Sequence, residues 1–197
     1  VGRRFFNALK AMEFAKGYHR GTRRDKVTPE FDHQISQALF ALTLPDIMFP
    51  EELICVIFLH DVREDYHVSD SEIRALFDDA AFAARVAHAV ECMTKEFRGV
   101  RKDDTLLFQL MALDPIASIA KLCDRIHNLQ SMVGVFKLAK QKEYIREVLE
   151  LFLPMQKNAR RNFPHQTAAY ENCKWMITSQ IQLIQAIHQA MEAQVTA

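Results

Sequence analysis

Glycine and proline are scarce in this chain, at 5 and 6 of 197 residues. That scarcity excludes a collagen-like or linker-rich chain, and no internal repeat stands out. A surplus of one charge sign is also missing. The 25 Lys and Arg residues balance 25 Asp and Glu, so the formal net charge is zero. No global field then draws the chain to nucleic acid or to a membrane surface, and neither is expected as a partner. No apolar run is long enough to span a bilayer, and no signal-peptide pattern is found. The four cysteines, Cys55, Cys92, Cys123 and Cys173, form no Cys-x-x-Cys pair. Each lies in a helical, mostly apolar context, which reads as reduced core thiols and fits a cytoplasmic setting. Convincing strand alternation is lacking as well. What is left is an all-α chain with apolar material for one domain over residues 1–197.

The apolar period is helical almost everywhere. Phe5, Phe6, Leu9, Met12 and Ala15 mark a first amphipathic helix that stops near Gly17. A basic segment through Arg20, Arg23, Arg24 and Lys26 follows. Thr28-Pro29 reads as a cap and first position of a second helix, with His33 in its first turn or two. Pro45 and Pro50 bracket a turn before a helix whose apolar run Ile54, Val56, Ile57, Phe58 leads into His60 and Asp61. Ser69 to Glu72 is a capping box. Helices are expected from about Ala80 to Met93, around Leu106 to Met111, and from Asp114-Pro115 through Leu129. A charged connection, Thr94 to Asp104, separates the first two. One more helix carries Tyr144, Val148 and Phe152 and ends or kinks near Pro154. The last spans roughly 166–193, with Trp175, Met176, Ile177, Ile181, Ile184 and Ile187 as core.

Chemistry concentrates at the end of the third helix. Glu64 lies one turn beyond His60, and Asp65 one turn beyond Asp61. One imidazole and three carboxylates at a helix end are costly unless cationic charge compensates them. Asp124 and Asn128 likewise interrupt the apolar surface of a later helix, four apart. Asp124 either pairs with Lys121 or Arg125, or completes a metal site with His33, His60 and Asp61. Two imidazoles and two carboxylates suit Mn, Fe or Zn better than Mg or Ca.

The order His33, His60-Asp61, Asp124 resembles that of the HD phosphohydrolase superfamily. The segments from Phe14 to His19, Leu59 to Asp65, Thr94-Lys95, Ala120 to Leu129 and Glu147 to Pro154 resemble the hydrolase half of the RelA/SpoT alarmone enzymes. The likeness covers roughly residues 5–160. It implies a helical HD bundle and a single Mn ion, with Fe or Zn as substitutes, held by His33, His60, Asp61 and Asp124. It implies that Glu64 and Asp65 position and deprotonate the attacking water. It implies a guanosine 3′-pyrophosphate substrate, with Arg24 stacking on the base and Asn128 touching the nucleoside. Lys26, Lys95, Lys121 and Arg125 are the nearest basic candidates for the phosphates. No room remains for the synthetase and regulatory halves of that family, so a stand-alone alarmone hydrolase is expected. Asp25 after Arg24, Gln34 after His33 and Gln130 depart from the family pattern. They leave open another nucleotide, as for an NADPH phosphatase or a nucleotidase; a catalytically silent nucleotide- or protein-binding module is the further alternative, and the intact ligand set with Glu64-Asp65 argues against it. His88, His127, His165 and His188 receive no role.

Overall fold

Helix α3 (Pro50–Tyr66) is the axis on which four other helices pack in this computed structural model, which describes residues 4–196. Pro50 takes its first position, and Glu51 and Glu52 fill the first turn, where the helix dipole favours negative charge. Every side chain from Leu53 to Leu59 is buried. Burial on all sides requires neighbours on all sides. Helices α1 (Phe6–Tyr18), α2 (Asp32–Ala41), α5 (Ala80–Met93) and α7 (Pro115–Met132) supply them. Helix α7 is the second buried axis. Asp114 caps it by accepting from the Ile116 and Ala117 N–H groups at 2.9 and 2.7 Å.

Two short helices connect these layers. Helix α4 (Asp70–Arg74) starts with the expected Ser69–Glu72 capping box, and α6 (Asp104–Ala112) precedes α7. Helices α8 (Leu138–Glu147) and α9 (Leu153–Asn162) run on through a π-helical turn at Val148–Phe152. There the Leu153 N–H reaches back five residues to the Val148 carbonyl. The wider turn precedes Pro154, which has no N–H to give and crowds the carbonyl four residues back. The final helix α10 (Thr167–Thr196) lies along α7. No single helix among the described residues is long and apolar enough to cross a membrane.

Four expectations are corrected. The first helix does not bury the stripe of large residues: Phe6 and Leu9 are exposed, and Ala8, Ala11 and Ala15 are buried instead. These alanines share one face at helical spacing and let α1 lie close against α3. Thr28-Pro29 does not open α2, which begins at Asp32; Pro29 forms an isolated bridge with Thr22. The charged connection after α5 contains a hairpin, β1 (Glu96–Phe97) with β2 (Val100–Arg101), turned at Arg98 and Gly99, both at positive φ. Its strands are too short for alternation to register. Trp175 is 67% exposed, because the buried stripe of α10 runs through Tyr170, Cys173, Ile177, Ile181 and Ile184. Trp175 lies two residues from Cys173 and from Ile177, about 200° around the helix from each. All four cysteines are buried free thiols, as expected.

Candidate active site

Helices α2, α3 and α7 bring His33, Asp61 and Asp124 to the wall of one cleft of about 390 Å³. Glu64, Asp65 and Lys121 share that wall. His60 stands behind Asp61, where the buried run of α3 ends, with its Nε2 3.1 Å from Asp61 Oδ1. His33 repeats the arrangement, its Nε2 3.1 Å from Asp124 Oδ1. The four side chains thus form two imidazole–carboxylate pairs.

The protons follow from the partners. His60 Nδ1 lies 2.9 Å from the Ile57 carbonyl, which only accepts, so Nδ1 carries the hydrogen. In the neutral ring Nε2 is then a bare lone pair, and it is buried without a hydrogen-bond partner. At His33 the Gln37 amide donates to Nε2 at 2.7 Å, which leaves Nδ1 as the donor. Nδ1 meets His127 Nδ1 at 2.7 Å. Burial, then the charges of His33 and Arg23, push His127 down to about 4, so it is neutral and accepts. Burial alone would raise Asp124; the Lys121 ammonium at 3.0 Å and the two histidines outweigh it and hold the carboxyl well below its usual range. Each pair sets two acceptors face to face and needs positive charge between them, a proton or a cation; no three of the four side chains bring donor atoms within 4.8 Å of one another. Two ring nitrogens and two carboxylates are suitable donors for such a cation.

The acidic rim divides into a tethered and a free carboxylate. Glu64 Oε2 accepts from the Lys95 backbone N–H at 2.9 Å. No hydrogen bond among the described residues engages Asp65. Loss of solvent, then the charges of Asp61, Glu64 and Glu30, raise its carboxyl to about 6.

The basic rim differs in part from the sequence expectation. Arg24, Lys121, Arg125 and Asn128 line the cleft. Arg24 stacks over Phe136 with its guanidinium carbon 4.9 Å from the ring centre. Arg125 is buried against Phe152 and Tyr144, and its Nη2 meets Glu147 at 2.9 Å. Its Nε and Nη1 have no hydrogen-bond partner. Asn128 donates to Asp124 Oδ1 at 2.7 Å and accepts from Arg23 at 3.3 Å. Lys26 and Lys95 do not line the cleft. Lys95 Nζ is held by Asp104 at 2.6 Å. Lys26 is exposed at φ 62, in a loop that Asp25 staples shut. Asp25 accepts from the Val27 and Thr28 N–H groups at 3.0 and 2.9 Å and from the Thr28 hydroxyl at 2.5 Å. Arg23 lines both the cleft and a smaller neighbouring pocket of about 170 Å³.

Sequence reasoning missed Arg23, Gln34, Gln37 and His127. Gln37 sits four residues after His33, and His127 three after Asp124, so the same helical spacing that found the ligand candidates reaches both. Gln34, at a departure from the family pattern, donates to Asp61 Oδ2 at 2.8 Å.

A family profile described as an HD domain matches residues 11–162, most of the chain. The chain belongs to the HD-domain family. HD domains bind a divalent metal, and the bare Nε2 of His60 beside Asp61, the HD pair itself, fits one. The HD domain is 31% identical over 152 residues to a GTP pyrophosphokinase of Streptomyces antibioticus, covering 74% of this chain and 17% of that protein. It is 30% identical over 154 residues to a probable guanosine-3′,5′-bis(diphosphate) 3′-pyrophosphohydrolase of Synechocystis, covering 74% and 19%. It is 31% identical over 151 residues to a protein of Spiroplasma citri named as that 3′-pyrophosphohydrolase, covering 73% and 19%. The chain therefore spans less than a fifth of the length of each of these relatives.

Proposed function

We propose that this HD domain hydrolyses the 3′-pyrophosphate of (p)ppGpp, giving GDP or GTP and pyrophosphate. The observation that carries the reading is the pairing of bare, buried His60 Nε2 with Asp61 beside the His33–Asp124 pair, on a cleft also lined by Arg23, Arg24, Lys121 and Arg125. Relatives named for the same substrate support it. His33, His60, Asp61 and Asp124 would hold one metal, of which Mn is the expected identity and Fe or Zn the substitutes. The bound ion acidifies water and shields phosphate charge.

The residues of the chain do the rest. Asp65, raised to about 6, takes a proton from water near neutral pH, where a general base is most effective. Glu64, fixed by the Lys95 N–H, orients that water. Arg24, already stacked on one aromatic ring, offers a planar face to guanine. Lys121 and Arg125 line the cleft and supply positive charge for the phosphates. Asn128 bridges the metal-side carboxylate and Arg23, and so registers the nucleoside against the metal. Four buried free thiols fit a reducing compartment such as the cytoplasm.

One observation favours a second reading, hydrolysis of another nucleotide: Lys26 and Lys95 lie off the cleft, which thins the charge available to a pyrophosphate. A substrate panel on Mn-loaded protein decides between them. Pyrophosphate released from ppGpp is the expected product; orthophosphate from NADPH or another nucleotide, with ppGpp untouched, selects the alternative.

A further inference from the structure

Among the described residues, one group of three metal-ligating side chains brings a donor atom of each within 4.8 Å of the others, and it is not the HD pair. It is His88, Cys92 and Asp114. His88 and Cys92 stand one turn apart on the same face of α5. Asp114 arrives from the corner between α6 and α7. We propose that these three residues form a second metal site, for a borderline divalent ion of the Zn²⁺ class, that ties the end of α5 to the start of α7.

The geometry is close to what such an ion requires. His88 Nε2 lies 3.6 Å from Cys92 Sγ and 3.8 Å from Asp114 Oδ2. Zinc bonds of about 2.0–2.2 Å to nitrogen and oxygen and 2.3 Å to sulfur set ligand atoms roughly 3.4–3.6 Å apart in a tetrahedron. The two edges from His88 match that spacing to within a few tenths of an ångström, and the third, from Cys92 to Asp114, lies within 4.8 Å. Asp114 is fixed for the role: Oδ1 caps α7, and Oδ2 makes no hydrogen bond among the described residues. Thiolate, imidazole and carboxylate together select zinc-like ions over Mg or Ca.

The surroundings agree. Asp114 and Cys92 are buried, while the His88 side chain is 66% exposed. The ion therefore has an entry path and an open position for water. Without metal the thiol keeps its proton, because burial and the Asp114 charge push Cys92 up to about 12. On binding, the metal–sulfur bond replaces the S–H bond, and the proton leaves to solvent. Lys102, the nearby cation that works against the ion, is neutralised by Glu91 at 2.8 Å. Asp124 lies ten residues further along α7, about 15 Å away along the helix axis, so this site is separate from the cleft.

The test is a Co²⁺ titration of the chelator-stripped chain. A near-ultraviolet sulfur-to-cobalt charge-transfer band is expected, saturating at about one metal per chain at this site and displaced by Zn²⁺. His33, His60, Asp61 and Asp124 contain no sulfur and cannot produce it. Cys92→Ser and His88→Gln should each abolish the band, and His60→Ala should retain it. His88→Gln changes an exposed side chain, so it decides the matter even where Cys92→Ser fails to fold. A wild-type titration without the band overturns the site, as does a band that survives His88→Gln.

Discussion

On one wall of the cleft, His33, His60, Asp61 and Asp124 stand on helices α2, α3 and α7, three of them deeply buried. A second wall, with Arg23 and Arg24, belongs to a loop that the side chain of Asp25 helps to shape. The first wall is positioned by packing and by hydrogen bonds that fix individual ring nitrogens. The second is positioned by three hydrogen bonds to a single exposed carboxylate and by backbone bonds across the same loop, from the Arg23 N–H to Thr28 and from the Lys26 N–H to Arg23. On the proposed function, chemistry that needs atoms held within tenths of an ångström sits on helices, and recognition of a variable ligand sits on the loop.

The sharpest way to break this contrast is at the packed wall. His60→Ala should remove the metal and lower turnover by about three orders of magnitude or more, since a bound ion supplies several kcal/mol of charge stabilisation. Metal analysis alongside pyrophosphate release checks it, and full activity in metal-free protein would reverse the assignment. Next is Asp65→Asn, which should keep the metal and the melting temperature but lose about two orders of magnitude or more in kcat. Near-normal kcat removes Asp65 from the proton transfer. His127→Phe fills the same space without the acceptor that fixes His33. It should weaken metal binding about 10- to 100-fold, the usual scale for losing such a partner. Equilibrium metal titration reads that loss, and unchanged affinity would show that packing alone aims His33.

The smallest effect belongs to the loop. Asp25→Ala should raise KM by less than about tenfold with kcat preserved, because it loosens Arg23 and Arg24 without touching the reacting atoms. Asp25→Lys should behave no better than Asp25→Ala. In the sequence Asp25 only departs from the family pattern, so a basic residue there carries no expected cost. Its three hydrogen bonds reverse that expectation. An Asp25→Lys variant more active than the parent would mean that charge outweighs loop shape on this wall.

What could be read from the sequence follows the same divide. His60 to Asp65 and Asp124 to Asn128 were legible because residues four apart share a helix face wherever the helix is used. The span of α5 and the caps of α4 and α7 were legible for the same local reason. Lys26 and Lys95 were not, because a flexible cation takes whichever acid stands nearest. For Lys95 that acid is Asp104 of α6, which no spacing rule brings near. Trp175 and the alanine face of α1 were misread because hydrophobicity was weighed residue by residue. What α3 accepts from α1 is small side chains at close range.

The π-helical turn at Val148–Phe152 bears on how length differences among relatives act. Such a turn holds one residue more than the α-helix it interrupts. Deleting one residue there restores a regular helix, but it turns everything on one side by about 100° relative to the other. Tyr144 and Glu147 lie before the turn, and Phe152 lies at its end; all three touch Arg125. A regularised helix cannot present both groups to the guanidinium at once. A single-residue gap in this stretch would thus be a change in the lining of the cleft, inherited as a unit rather than reached by gradual substitution.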